Sequence, residues 1–101
     1  MIFTSTGTYT RYLYQTDLNA LMADIKKSEL DLFIVGKVKE MRLQNKWSQA
    51  VLATKLNLSN GFFAQIENPK HRAKYNISHI NKLAEIFNCS PKDFLPEKPI
   101  L

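Results

Sequence analysis

The histidines His71 and His79 and the carboxylates Glu85 and Asp93 are the residues of this chain best suited to acid–base or metal chemistry. Their spacing argues against both. They fall on different faces of the helices read below, without the His-Glu-x-x-His pattern that sets two imidazoles side by side for zinc. The three glycines stand at positions 7, 36 and 61, too far apart to build a glycine-rich phosphate loop, and there is no nucleophile elbow. Cys89 is the single cysteine, which rules out an intrachain disulfide and a Cys-based zinc site. It precedes a helix cap and reads as a small buried apolar residue. The expectation is a protein that is not an enzyme and that uses no metal and no cofactor. What remains is cationic: the run Lys70-His71-Arg72-Ala73-Lys74 suits a polyanion.

Composition agrees. The chain has 101 residues, 14 Lys and Arg against 9 Asp and Glu, a net charge of +5, and 45% hydrophobic residues, the profile of one small soluble domain. Such a length buries one modest core and excludes a large multi-domain catalyst. The charge is unevenly placed. Residues 1–31 hold three basic and four acidic side chains, whereas residues 32–101 hold eleven and five, so the positive excess lies wholly in the second part. No apolar stretch approaches the ~20 residues of a membrane span. The amino end carries neither the basic run nor the apolar stretch of a secretory signal, so a cytoplasmic setting and no membrane partner are expected.

The elements that must present the cations are short helices. Ile34, Val38 and Met41, at i, i+4 and i+7, predict an amphipathic helix over about 31–45 after a Ser28/Asp31 start. Ser48 caps a second, two-turn helix with Leu52, Ala53 and Leu56 inward and Asn57 at its end. Ser59 caps a third, with Phe63 and Ile66 inward, stopped by Asn68-Pro69. Asn76 caps a fourth, with Ile80, Leu83, Ala84 and Phe87 inward, ending at Asn88. Ser90-Pro91 opens a short fifth containing Phe94 and Leu95. Two short helices joined by the turn Asn57-Leu58-Ser59 and bracketed by packing helices form a helix-turn-helix.

The stretch Trp47-Ser48-Gln49-Ala50-Val51-Leu52-Ala53-Thr54-Lys55-Leu56-Asn57-Leu58-Ser59, followed by Phe63-Ala64-Gln65-Ile66-Glu67-Asn68, resembles the lambda-repressor-like, or XRE, helix-turn-helix family. Leu83 to Leu95 is similar to that family's closing helices. The likeness spans about residues 32–96. It implies an all-α, five-helix fold that binds double-stranded DNA, commonly as a homodimer, with the second helix of the motif in the major groove. By position, the family's base-reading roles fall on Asn60, Gly61 and Gln65. The two amides can pair with the N6/N7 edge of adenine. Gly61 either lets the backbone approach DNA or merely avoids a clash.

By the same resemblance Gln49, at a helix N-terminus, clamps a phosphate; Ser59 and Asn68 are also expected to contact phosphates, and the run Lys70, His71, Arg72 and Lys74, which follows the reading helix, to track the flanking ones. Arg42 and Glu67 occupy positions that related repressors join by a structural ion pair. Phe62 reads as packing back on the motif, and Trp47 as core.

The organisation expected is an N-terminal extension at 1–30, a DNA-binding domain at 31–96 and an extended tail at 97–101. In the extension, Thr8-Tyr9-Thr10-Arg11-Tyr12-Leu13-Tyr14 suggests a strand or arm, and Asp17 a cap for a short helix through Leu18, Leu21, Met22 and Ile25. An unpaired arm of this kind would support homodimerisation. The function expected is a sequence-specific transcriptional regulator, a repressor. The alternative is an antitoxin-type interaction module whose arm neutralises a partner toxin while the helices bind the operon's own DNA.

Overall fold

The structure, a computed structural model, describes residues 27–101. The arm and short helix expected within residues 1–26 lie outside this range. Four α-helices follow in order: α1 (Glu29–Gln44), α2 (Gln49–Leu56), α3 (Asn60–Glu67) and α4 (Ile77–Phe87). A 3-10 helix (Pro91–Phe94) stands in the place expected for a fifth α-helix. There is no strand among the described residues.

Each start is written in a side chain. Ser28 accepts from the Asp31 amide while Asp31 accepts from the Ser28 amide, a complete capping box that starts α1 two residues earlier than the apolar spacing suggests. Ser48 and Ser59 cap α2 and α3 through the amides of Val51 and Phe62. Asn76 and His79 cap α4 reciprocally, with His79 Nδ1 accepting from the Asn76 amide at 3.1 Å. The ends are equally regular. Lys46, Asn57 and Asn88 adopt left-handed backbone at φ 58°, 60° and 56°. The amide that follows each one reaches back: Trp47 to Arg42, Leu58 to Ala53 and Cys89 to Ala84. These are three Schellman closures. Asparagine tolerates that conformation, so two of the ends were readable; Lys46 gives no such signal.

The core gathers Val35 and Val38 from α1, Leu52, Ala53 and Leu56 from α2, Phe63 and Ile66 from α3, Ile80, Leu83 and Ala84 from α4, Tyr75 from the connection before α4, and Phe94 from the 3-10 helix. Trp47 is half-buried and stacks on Phe87 at 5.4 Å, with Lys55 Nζ 4.6 Å above its ring. Two expectations need correction. The inward stripe of α1 is Val35, Val38 and Arg42, with Ile34 and Met41 only half-buried. Leu95 is 46% exposed, because the residue before Pro96 is driven to extended backbone (φ −107°, ψ 150°) and leaves the core after Phe94.

Arg42 takes a core position because its charge is met there. Its Nε and Nη2 donate to the two oxygens of Glu67, each at 2.9 Å, and its Nη1 donates to the Trp47 carbonyl at 2.7 Å. The side chains of Arg42 and Glu67 retain 7% and 2% of their accessible surface. Gln49 Nε2 adds a further bond to Glu67 Oε1 at 2.9 Å. One carboxylate thus ties α1, the start of α2 and the end of α3 together.

Two outcomes follow from these contacts. Glu67→Gln strands a buried guanidinium and should cost about 3–5 kcal/mol in denaturant unfolding, whereas the paired replacement Arg42→Met with Glu67→Leu should cost much less than the sum of the single changes. Burial holds His79 below the ordinary histidine range. The folded state therefore resists protonation, so the contribution of His79 is full above about pH 6.5 and is lost as pH falls through the lowered value. His79→Gln, which can still close the capping box, should flatten that part of the stability–pH curve relative to the unmodified protein.

Candidate nucleic-acid interface

The turn between α2 and α3 decides what the protein shows to its surroundings. Asn57 in left-handed backbone reverses the chain, the half-buried Leu58 anchors the turn to the core, and Ser59 caps α3. With Phe63, Ile66 and Glu67 turned inward, the helical period of 3.6 leaves Asn60, Gly61, Ala64 and Gln65 outward, and all four are exposed. The three residues assigned to base reading therefore share one open face of an eight-residue helix about 12 Å long. Gly61 has open space around it: a Cβ added there meets nothing within 4 Å, and its backbone is ordinary helix. The fold itself gives no steric reason for glycine. Phe62 is 37% exposed and stands beside this face, which corrects the expectation that it packs back on the motif.

The surrounding residues are placed as follows. Gln49 lies exposed at the first position of α2, and its bond to Glu67 fixes the amide at that helix end. The Ser59 hydroxyl accepts from the Phe62 amide at 3.1 Å and keeps its own proton to donate. Asn68, in extended backbone ahead of Pro69, accepts the Lys70 amide on Oδ1 at 2.9 Å and so folds the basic run back in a tight turn. Lys70 and Arg72 are exposed. His71 is half-buried, with Nδ1 accepting from the Ala73 amide at 3.0 Å. Lys74 is exposed and pairs with Asp31 at 3.4 Å. Burial works to raise the Asp31 carboxyl, but hydrogen bonds from Ser28 and the Lys74 charge outweigh it and hold the group below the ordinary carboxylate range.

One participant escaped the sequence analysis. Lys27 is 8% exposed, and its ammonium donates to the carbonyls of Gln65 (3.3 Å), Asn68 (2.6 Å) and His71. Burial pulls this ammonium below the usual lysine range, partly offset by the charge of Asp31. A lone lysine 38 to 44 residues away from its partners carries no local signal. Only the fold brings them together.

Among the described residues no group of three or more metal-ligating side chains comes together, and no helix is long and apolar enough to cross a membrane. The arrangement is instead a two-turn helix with an open polar face, flanked by a helix N-terminus on one side and by cations on the other. That combination is chemically suited to a polyanion whose edges offer hydrogen-bonding groups, as duplex DNA does.

No curated protein and no solved structure matches the chain. A family model, described as a Cro/C1-type HTH DNA-binding domain, matches residues 37–96. The matched span takes in the second half of α1, all of α2, α3 and α4, and the 3-10 helix. It covers more than half of the chain and includes every element that builds the interface, so this chain belongs to the family of Cro/C1-type helix-turn-helix DNA-binding domains.

Proposed function

We propose that this protein is a sequence-specific regulator of transcription, acting as a repressor, that reads the major groove with α3. Asn60 and Gln65 hydrogen-bond to base edges, Gly61 lets the start of α3 approach the duplex closely, and Gln49, Ser59 and Asn68 with Lys70, His71, Arg72 and Lys74 hold the flanking phosphates. The observation that carries this reading is the division of α3. Its apolar side is sealed in the core, while both amides and the glycine share the open side next to the basic run.

Gly61 is compatible with this reading. A glycine inside a helix costs about 1 kcal/mol relative to alanine, and nothing within the fold requires one here, as is also true of Gly36 in α1.

A helix of two turns spans only a few base pairs, too few to single out one site. The reading therefore includes a homodimer on a two-fold operator with half-sites about one helical turn, roughly 34 Å, apart. Occupying such a site blocks other proteins from it, which is repression by binding alone and needs no chemical step.

Selection from a random pool of duplexes at near-physiological salt should enrich a two-fold motif with the unmodified protein. The motif should vanish with Asn60→Ala plus Gln65→Ala, at a cost of about 1–3 kcal/mol per reading contact. Binding without any enriched motif would overturn sequence-specific reading. Lys70→Ala and Arg72→Ala should instead weaken binding to all duplexes alike, each lowering the slope of log affinity against log salt by about one. Gly61→Ala should separate fold from function: unfolding becomes harder by about 0.5–1 kcal/mol while affinity for the selected duplex falls.

A further inference from the structure

We infer that Lys27, a residue before the matched span, is a positioning residue for DNA recognition: its ammonium closes the end of the reading helix and sets the basic run against it. This inference rests on the reading of α3 as the DNA-reading helix.

The last carbonyls of any α-helix have no partner within the helix. The other three α-helices meet that need with a left-handed residue and a Schellman amide. The third helix cannot. The residue two beyond Glu67 is Pro69, which has no amide hydrogen, and Asn68 before it is extended (φ −81°, ψ 114°) rather than left-handed. Without a Schellman closure, the Gln65 carbonyl accepts the Asn68 amide at 3.2 Å and the Asn68 carbonyl accepts the His71 amide at 3.0 Å. Lys27 braces both carbonyls from outside by adding a charged donor to each.

An ammonium has three N–H donors and no acceptor, and here it meets three carbonyls. Its positive charge also faces the negative end of the α3 dipole. The third carbonyl, that of His71, belongs to the basic run. One nitrogen therefore connects the end of the helix that carries Gln65 to the segment that carries Lys70 and Arg72. Asp31, one helical turn along α1, takes Lys74 at 3.4 Å. The start of α1 accordingly holds the basic run at two points, near 68–71 and at 74.

Consequences for recognition follow from geometry. Bases are read by side chains aimed within a fraction of an ångström, and phosphates are held by cations at a fixed offset from them. Releasing the end of α3 changes both at once.

The test compares Lys27→Met, which keeps the aliphatic stem and removes all three donors, and Lys27→Arg, which keeps the charge, with the unmodified full chain. Three readouts are needed: thermal unfolding, amide exchange in the absence of DNA, and affinity for the duplex selected by the unmodified protein against a scrambled duplex. Lys27→Met should remain folded, exchange the amides of Asn68, His71 and Ala73 at least about tenfold faster, and lose about ten- to a hundredfold in affinity for the selected duplex. It should lose less for the scrambled duplex, so that the specificity ratio falls. Lys27→Arg should recover much of both losses. A merely stabilising role would lower affinity for both duplexes only in step with the folded fraction, and that result would overturn the inference, as would unchanged exchange and specificity. Should Lys27→Met not fold, Lys27→Gln, which retains an amide donor, serves the same comparison. Failure of the unmodified protein to select any duplex would overturn the reading of α3 itself, whereas selection that Lys27→Met leaves intact overturns only the role of Lys27.

Discussion

The sealed pair of Arg42 and Glu67 sets the geometry on which the interface depends. Glu67 is the last residue of α3 and Arg42 lies in the last turn of α1, so their paired bonds fix α3 against the longest of the described helices. The same arginine holds the Trp47 carbonyl, where the chain leaves α1 for α2, and the same carboxylate holds Gln49, where α2 begins. A hydrophobic contact resists separation but allows sliding. A bidentate guanidinium–carboxylate pair has one good orientation, so it specifies register as well as proximity. Desolvating two charges is costly, and such a pair adds little net stability over an apolar replacement. What it contributes here is a single angle between α3 and the body that carries it.

That pair also explains which parts of the fold could be read from residue types alone. Helix starts were legible because Ser28, Ser48, Ser59, Asn76 and Ser90 each cap with their own side chain, a local event that leaves a local mark. Three ends were legible for the same reason, through Asn57, Asn68-Pro69 and Asn88. The inward face of α1 was read one residue off because apolar periodicity favours Met41 over a charged neighbour, and only the distant Glu67 makes Arg42 the better occupant. The outward turn of Leu95 has a local cause in Pro96, which the apolar spacing hid, whereas nothing in the residue types marks the left-handed backbone of Lys46 or the exposure of Phe62. Lys27 is the extreme case, since nothing near it in sequence hints at the carbonyls that it serves.

The three residues assigned to base reading came from a resemblance, and the structure sets them on one exposed face of α3. The physical meaning of that arrangement lies in the contrast between its two ends. The start of α3 is permissive, with a glycine in open space and an exposed phenylalanine beside it. The other end is tightly held, by Glu67 inside and by Lys27 at the carbonyls. A helix fixed at its far end and uncrowded at its near end keeps its direction while its first turn remains open to a partner.

The division of labour between rigid and loose parts extends to the cations. Lys74 pairs with Asp31, yet its side chain keeps 58% of its accessible surface, and an exposed pair of this kind is worth at most about 1 kcal/mol. A phosphate can draw such a lysine away at small cost, because the exchange replaces one exposed charge contact with another. On the proposed reading, affinity from Lys70, Arg72 and Lys74 would therefore be tolerant of small displacements and strongly dependent on salt. Base discrimination has no such tolerance, since a hydrogen bond displaced by an ångström is lost. On the proposed reading, the buried charges of Arg42, Glu67 and Lys27 would serve the demanding task of direction, and the exposed charges of Lys70, Arg72 and Lys74 the forgiving task of attraction.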